Sequence, residues 1–192
     1  MARGGKKSLL WGAVAVAVAL AALGLYWFQP WKLWQDETVD EALPTAVPGA
    51  TSSPGGTPAP GSASPPGGSD TSAAAGPETV AQGDLISHEH RTTGTAKLIR
   101  LADGSLTLRL EDLNTSNGPD LRVWLTDAPV KEGVAGWRVF DDGRYVSLGK
   151  LKGNKGDQNY PLPPGTDPSA FTSVTIWCDR FDVSFGAAAL KV

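Results

Sequence analysis

Twenty consecutive residues, Leu9 to Phe28 (LLWGAVAVAVALAALGLYWF), carry no charge. Wound as a helix at about 1.5 Å per residue, the run is about 30 Å long, the thickness of a bilayer's hydrocarbon core. Arg3, Lys6 and Lys7 precede it; Lys32 and the acids Asp36, Glu37, Asp40 and Glu41 follow. That asymmetry predicts residues 1–8 in the cytoplasm, a transmembrane helix over 9–28 and all later residues on the extracytoplasmic side. The expected product is a single-pass protein of the cell membrane with its bulk at the cell surface, and the lipid bilayer is its first partner. Trp11 at one end, with Tyr26, Trp27, Trp31 and Trp34 at the other, suits the two interfaces. A cleaved signal peptide is the rival reading. Its apolar region is ordinarily about 7–15 residues, and this run is longer and ends on bulky aromatics.

Composition changes abruptly after the helix. Residues 44–77 hold eight Pro among Gly, Ser, Ala and Thr, with Val47 the only large apolar residue. Such a stretch buries too little apolar surface to offset its ordering entropy. Residues 29–83 are therefore expected to form a juxtamembrane segment and a disordered linker. As a coil, 44–77 would place its ends about 30–35 Å apart and let whatever follows search the membrane surface.

From residue 84 the pattern turns to period-2 alternation. Leu106, Leu108 and Leu110 oppose Thr107, Arg109 and Glu111; Leu121, Val123 and Leu125 oppose Arg122 and Trp124. Val174, Ile176 and Cys178 oppose Thr175 and Trp177, and Phe181, Val183 and Phe185 oppose Asp182 and Ser184. Turn signals separate the runs at Asp103-Gly104, Asn117-Gly118-Pro119-Asp120, Asp142-Gly143 and Gly153-Asn154. No stretch keeps a helical period. Residues 84–192 are predicted to form one all-β domain, an antiparallel β-sandwich or barrel-like structure.

Counts of reactive side chains narrow the chemistry. The chain has one Cys and two His. It therefore makes no internal disulfide, no Cys-x-x-Cys couple and no multi-thiolate metal cluster. A formal charge of −3 argues against nucleic acid as a partner. No nucleophile elbow, phosphate loop or His-Glu-x-x-His motif occurs. An electron-transfer or binding domain fits these residues better than a catalytic enzyme.

Four stretches of the β region resemble the DM-thirteen family, small extracellular domains with a proposed part in electron transfer. His90 and Gly94 are similar to its early His-x-x-x-Gly. Gly118-Pro119-Asp120-Leu121-Arg122-Val123-Trp124-Leu125 is similar to its Pro-Asp-Leu strand. Leu148 through Gly153, with Gly156 and Gln158 through Pro163, resembles its Leu-Gly-x-Leu-Lys-Gly block. Ser173 through Cys178, followed by Phe181, Val183, Phe185, Gly186, Ala187 and Leu190, resembles its last block. The resemblance covers nearly all of 84–192. It implies a β-rich domain with one characteristic cysteine, here Cys178, in a redox role.

Two readings of Cys178 stand side by side. Its parity with Val174 and Ile176 directs it inwards, where a thiol often only packs. An unpaired thiol in an oxidising compartment is also a liability unless protected or used. If used, it is the redox thiol, with Trp177 and Tyr160 lining the site and His90 orienting or ligating. His88 and His90, two apart, would share a strand face and complete a metal set with Cys178, of the two-nitrogen, one-sulfur type that suits copper; haem is the other cofactor a lone thiolate could ligate. The partner would be a redox protein. The alternative function is a structural or binding module for an envelope component, with Cys178 inert and an exposed basic face at Lys150 and Lys152, near Lys155 and Arg144.

Overall fold

In a computed structural model of the protein, residues 4–44 and 76–192 are described. The elements run α1 (Gly4–Phe28), β1 (Thr38–Asp40), β2 (Glu78–Asp84), β3 (Ile86–Ser87), β4 (Thr93–Arg100), β5 (Leu106–Asn114), β6 (Leu121–Thr126), β7 (Tyr145–Lys150), β8 (Lys155–Pro161), β9 (Ser173–Cys178) and β10 (Val183–Ala189). The helix has 25 residues, and its side chains from Leu10 on stand mostly exposed. It is long and apolar enough to cross a bilayer.

The strands form two five-stranded sheets. Sheet I has the order β1-β8-β5-β4-β2 and sheet II the order β3-β10-β9-β6-β7. This is the expected all-β sandwich. All pairings are antiparallel except β1 with β8, which is parallel. The alternation in the sequence explains the layering. Leu108 and Leu110 of β5, Leu121, Val123 and Leu125 of β6, Val174, Ile176 and Cys178 of β9, and Val183 and Phe185 of β10 fill the space between the sheets. The opposite parity of sheet II carries Trp124 and Trp177. The long β6–β7 connection folds over that outer face, so Ala128 and Phe140 cover the two indoles in a second, smaller core.

The segment before the Pro-rich stretch corrects the picture of a free tether. Residues 36–42 run along the edge of sheet I as a strap. Thr38, Val39 and Asp40 pair with Lys155, Gly156 and Asp157, Glu41 N donates to Asp157 O at 2.9 Å, and Lys155 N donates to Glu37 O at 3.2 Å. Asn159 Nδ2 donates to Ala42 O at 2.8 Å. Two glycines make room. A Cβ on Gly153 would lie 2.4 Å from Glu37 O, and one on Gly156, whose φ is +89°, would lie 2.4 Å from Val39 O. Residues 29–83 therefore contribute β1 and β2 to the sandwich and are not wholly linker. The Pro-rich stretch connects β1 to β2, at opposite edges of one sheet and about 19 Å apart at four strand spacings. Most of the sequence read as linker, 45–75, lies outside the described residues.

The helix end meets the β9–β10 turn. Arg180 Nη1 donates to Trp27 O at 2.7 Å and Tyr26 O at 3.3 Å, carbonyls that the last helical turn leaves without intrahelical partners. Phe28 stacks on Phe181 with centroids 5.6 Å apart. The strap and this contact together hold the sandwich against the helix end.

Candidate functional site

Cys178 ends β9, opposite Leu121 of β6 and Val183 of β10. It is fully buried. Burial pushes the thiol pKa up, and the Glu89 carboxylate adds to that; the backbone amides of Arg180, Phe181 and Asp120 around the sulfur pull the other way and lose. Burial thus favours the protonated thiol. Arg180 acts here through its backbone, because its guanidinium is turned to the helix carbonyls and lies 5.3 Å from the Trp27 ring. The Asn117–Asp120 turn is tied to the residue after Cys178 by Asp179 N donating to Asp120 O at 3.0 Å. Above it, Arg122 pairs with Asp179 and lies 3.6 Å from Asp120, and Lys150 also lies 3.6 Å from Asp120. Burial and the neighbouring Asp120 and Asp182 raise the Asp179 pKa despite Arg122.

Trp177 does not adjoin the sulfur's side of the sheet. Strand parity sends it to the other face of sheet II, where it is 1% exposed. There it starts an aromatic column. Trp177 stacks on Trp124 with centroids 5.0 Å apart and planes at 26°. Trp124 stacks on Tyr145 at 4.0 Å and 8°. The three rings sit on adjacent strands β9, β6 and β7 as diagonal neighbours, since Trp177 faces Arg122 and Tyr145 faces Thr126, the residues two before and two after Trp124. Phe140 meets Trp177 edge-on at 6.4 Å. Tyr145 is 46% exposed, so the column runs from the interior to the surface.

The two histidines diverge, which corrects the expected shared face. β3 ends at Ser87, so 88–90 are not a strand. His88 tucks under the β6–β7 connection: Nε2–H donates to Lys131 O at 3.0 Å, and Nδ1 accepts from Ser184 at 2.7 Å. Thr175 lies 2.8 Å from the Ser184 hydroxyl and extends the network across to β9. Both ring nitrogens are thereby used, and burial pushes the His88 pKa down. His90 packs on Phe185 at 3.9 Å and lies 3.8 Å from Glu89; burial lowers its pKa against Glu89's pull. Tyr160 faces the inter-sheet core. Its hydroxyl donates to Gln158 Oε1 at 2.6 Å and accepts from Lys152 N at 3.0 Å, and burial drives its pKa far above the usual range.

Over residues 84–190 the chain matches the family described as Electron transfer DM13. The chain belongs to this family. No curated protein and no solved structure matches it.

In this DM13 domain the expected metal set of Cys178, His88 and His90 is not assembled. Ser184, which His88 bonds, lies on the face of sheet II opposite Cys178, and His88 has no free nitrogen. Among the described residues no three His, Cys, Asp or Glu side chains gather as a metal-ligand group. A groove of about 770 Å³ lies between β2 and the end of β10, reaching Val130 and Glu132, but it offers no His, Cys, Met or Tyr as an axial haem ligand. Among the described residues the donors of the expected copper set are not brought together, and this groove holds no axial haem ligand. The basic face is partly neutralised, with Lys150 left largely exposed. Lys152 Nζ donates to Glu41 at 2.7 Å and 2.9 Å and to Asn159 O at 2.8 Å, Lys155 bonds Asp36 at 2.6 Å, and Arg144 pairs with Asp127 at 3.0 Å. The strap's acids occupy Lys152 and Lys155. Sequence reasoning missed Trp124 and Tyr145. The outward parity of Trp124 was the available signal.

Proposed function

We propose that this DM13 protein is a membrane-anchored, extracytoplasmic one-electron carrier whose redox group is the Cys178 thiol. Membership of an electron-transfer family supports the role, and the burial of the sulfur selects its form. An enclosed sulfur cannot meet a second thiol or a disulfide partner, so thiol–disulfide exchange is sterically closed to the native fold. Exchange of single electrons needs no such contact. In this reading Cys178 S–H gives one electron to a one-electron oxidant of the envelope and, through brief opening of the turn beside it, one proton to water, and regains both on reduction. The observation that carries the reading is the sulfur at zero exposure in a domain of this family.

The apolar helix anchors the protein, and the Arg180 and Phe181 contacts to its end keep the Cys178 turn close to the bilayer face. A partner is then a redox protein of the same membrane, or a mobile carrier at its surface. The test is coulometry on the full chain in lipid nanodiscs with a graded series of one-electron oxidants. Wild type should release one electron per chain at a potential where Cys178→Ser releases none. Equal charge from both proteins would refute the assignment.

A further inference from the structure

The column on the outer face of sheet II has more order than covering a core requires. Three rings of the two aromatic types that lose single electrons most readily stand in series. Trp177 is buried and adjoins Cys178 in the chain, Trp124 is 5% exposed, and Tyr145 opens to solvent. The central indole Nε1–H is buried with no hydrogen-bond partner among the described residues. An oxidised Trp124 therefore has nowhere to send its proton and stays a strongly oxidising radical cation, a state that passes the vacancy on. Tyr145, by contrast, can release its phenolic proton to water.

We propose that Trp177, Trp124 and Tyr145 form an electron relay, and that exposed Tyr145 is the surface where a one-electron redox partner meets this domain. A one-electron oxidant, in the carrier the Cys178 thiyl radical that is thereby reduced back to the thiol with a proton from water, takes an electron from Trp177; Trp177 takes one from Trp124, which takes one from Tyr145. Tyr145 O–H gives its proton to water and becomes the neutral phenoxyl radical. An external one-electron donor then reduces that radical, and the proton returns from water. Because the proton leaves only at Tyr145, vacancies run outwards and electrons inwards. The relay deepens the one-electron reading above and rests on it for its purpose; its operation does not require the thiol.

The experiment creates the vacancy in the full chain in nanodiscs. Ultraviolet excitation of tryptophan with chloropentaamminecobalt(III) transfers one electron to cobalt, which falls irreversibly to cobalt(II). Freeze-trapped radicals are then read by electron paramagnetic resonance. Wild type should yield a tyrosyl radical. Tyr145→Phe, which keeps the ring and its stacking, should lose most of that signal and show an indolyl radical instead. Trp124→Phe should do the same, whereas Tyr26→Phe should change nothing. Cys178→Ser should leave the tyrosyl yield intact. An unchanged tyrosyl yield in Tyr145→Phe or Trp124→Phe, or only indolyl radical in wild type, would overturn the relay. If the relay persists while coulometry finds no thiol electron, the Cys178 reading fails alone; if the thiol titrates and no Tyr145 radical forms, the relay fails alone.

Discussion

Gly153→Ala is the cleanest way to ask whether the strap holds the sandwich to the helix end. Gly153 has ordinary backbone angles, so the new methyl strains nothing within its own loop. Its Cβ would lie 2.4 Å from Glu37 O and 2.8 Å from Val39 Cγ2, both on the strap. Overpacking of this kind costs about 1–3 kcal/mol. Undocking residues 36–42 relieves it, so the cost falls on the strap's closed state and raises its opening equilibrium about 5- to 150-fold. The strap cannot absorb that easily. It gains the bonds of Glu37, Glu41 and Ala42 to Asn154, Asp157 and Asn159, each about 1 kcal/mol, and loses about 1–2 kcal/mol per ordered residue. Hydrogen exchange of the full chain in nanodiscs reads the outcome directly. Amides of Glu37, Glu41 and Lys155 should exchange faster by that factor, while amides of β9 and β10 stay protected. Unchanged protection at the strap would refute the argument, and uniform loss across both sheets would show that Gly153 serves the whole fold instead.

Acidification should destabilise the fold before its carboxylates titrate. His88 is held neutral by burial, so its folded pKa lies below the unfolded value near 6.5; the stability it contributes is full above that value and falls as pH drops below it, by at most about 1.4 kcal/mol per pH unit. The melting temperature should decline from pH 7 to pH 5, less steeply in His88→Gln. A further loss follows at lower pH, where Glu111 and Glu41, with pKa values lowered by Lys97 and Lys152, become protonated. Phe140→Ala should cost about 3–5 kcal/mol in denaturant titration and red-shift tryptophan emission, because Phe140 seals Trp177. Native Cys178 should react with iodoacetamide at least about a thousandfold more slowly than in denaturant, since alkylation waits on opening of the fold.

The sandwich was legible because its central strands obey a two-residue period: β5, β6, β9 and β10 bury the residues their alternation names. The same rule sets Trp177 opposite Cys178. Nearness along the chain suggested a shared pocket, but on a strand adjacent residues are the ones that part. β1 and β2 were not legible. The sequence Thr38-Val39-Asp40 is too short and polar to show a period, and its pairing depends on Gly153 and Gly156 over a hundred residues away. β2, Glu78 to Asp84, lies at a sheet edge and is largely polar, so nothing marked it off from the linker. The histidine pair failed for a local reason: the strand stops at Ser87, and the turn that follows sends the two rings apart. Lys152 and Lys155 read as part of a basic face because their acids, Glu41 and Asp36, lie far upstream, and only the folded strap brings them together.

Protein-film voltammetry of the full chain embedded in lipid asks most simply whether the enclosed sulfur exchanges electrons. A reversible one-electron wave in wild type, lost in Cys178→Ser while the two proteins melt cooperatively and share their hydrogen-exchange pattern, is the result expected. The same wave in both proteins, or no wave in either, would leave Cys178 a packing residue and contradict the account.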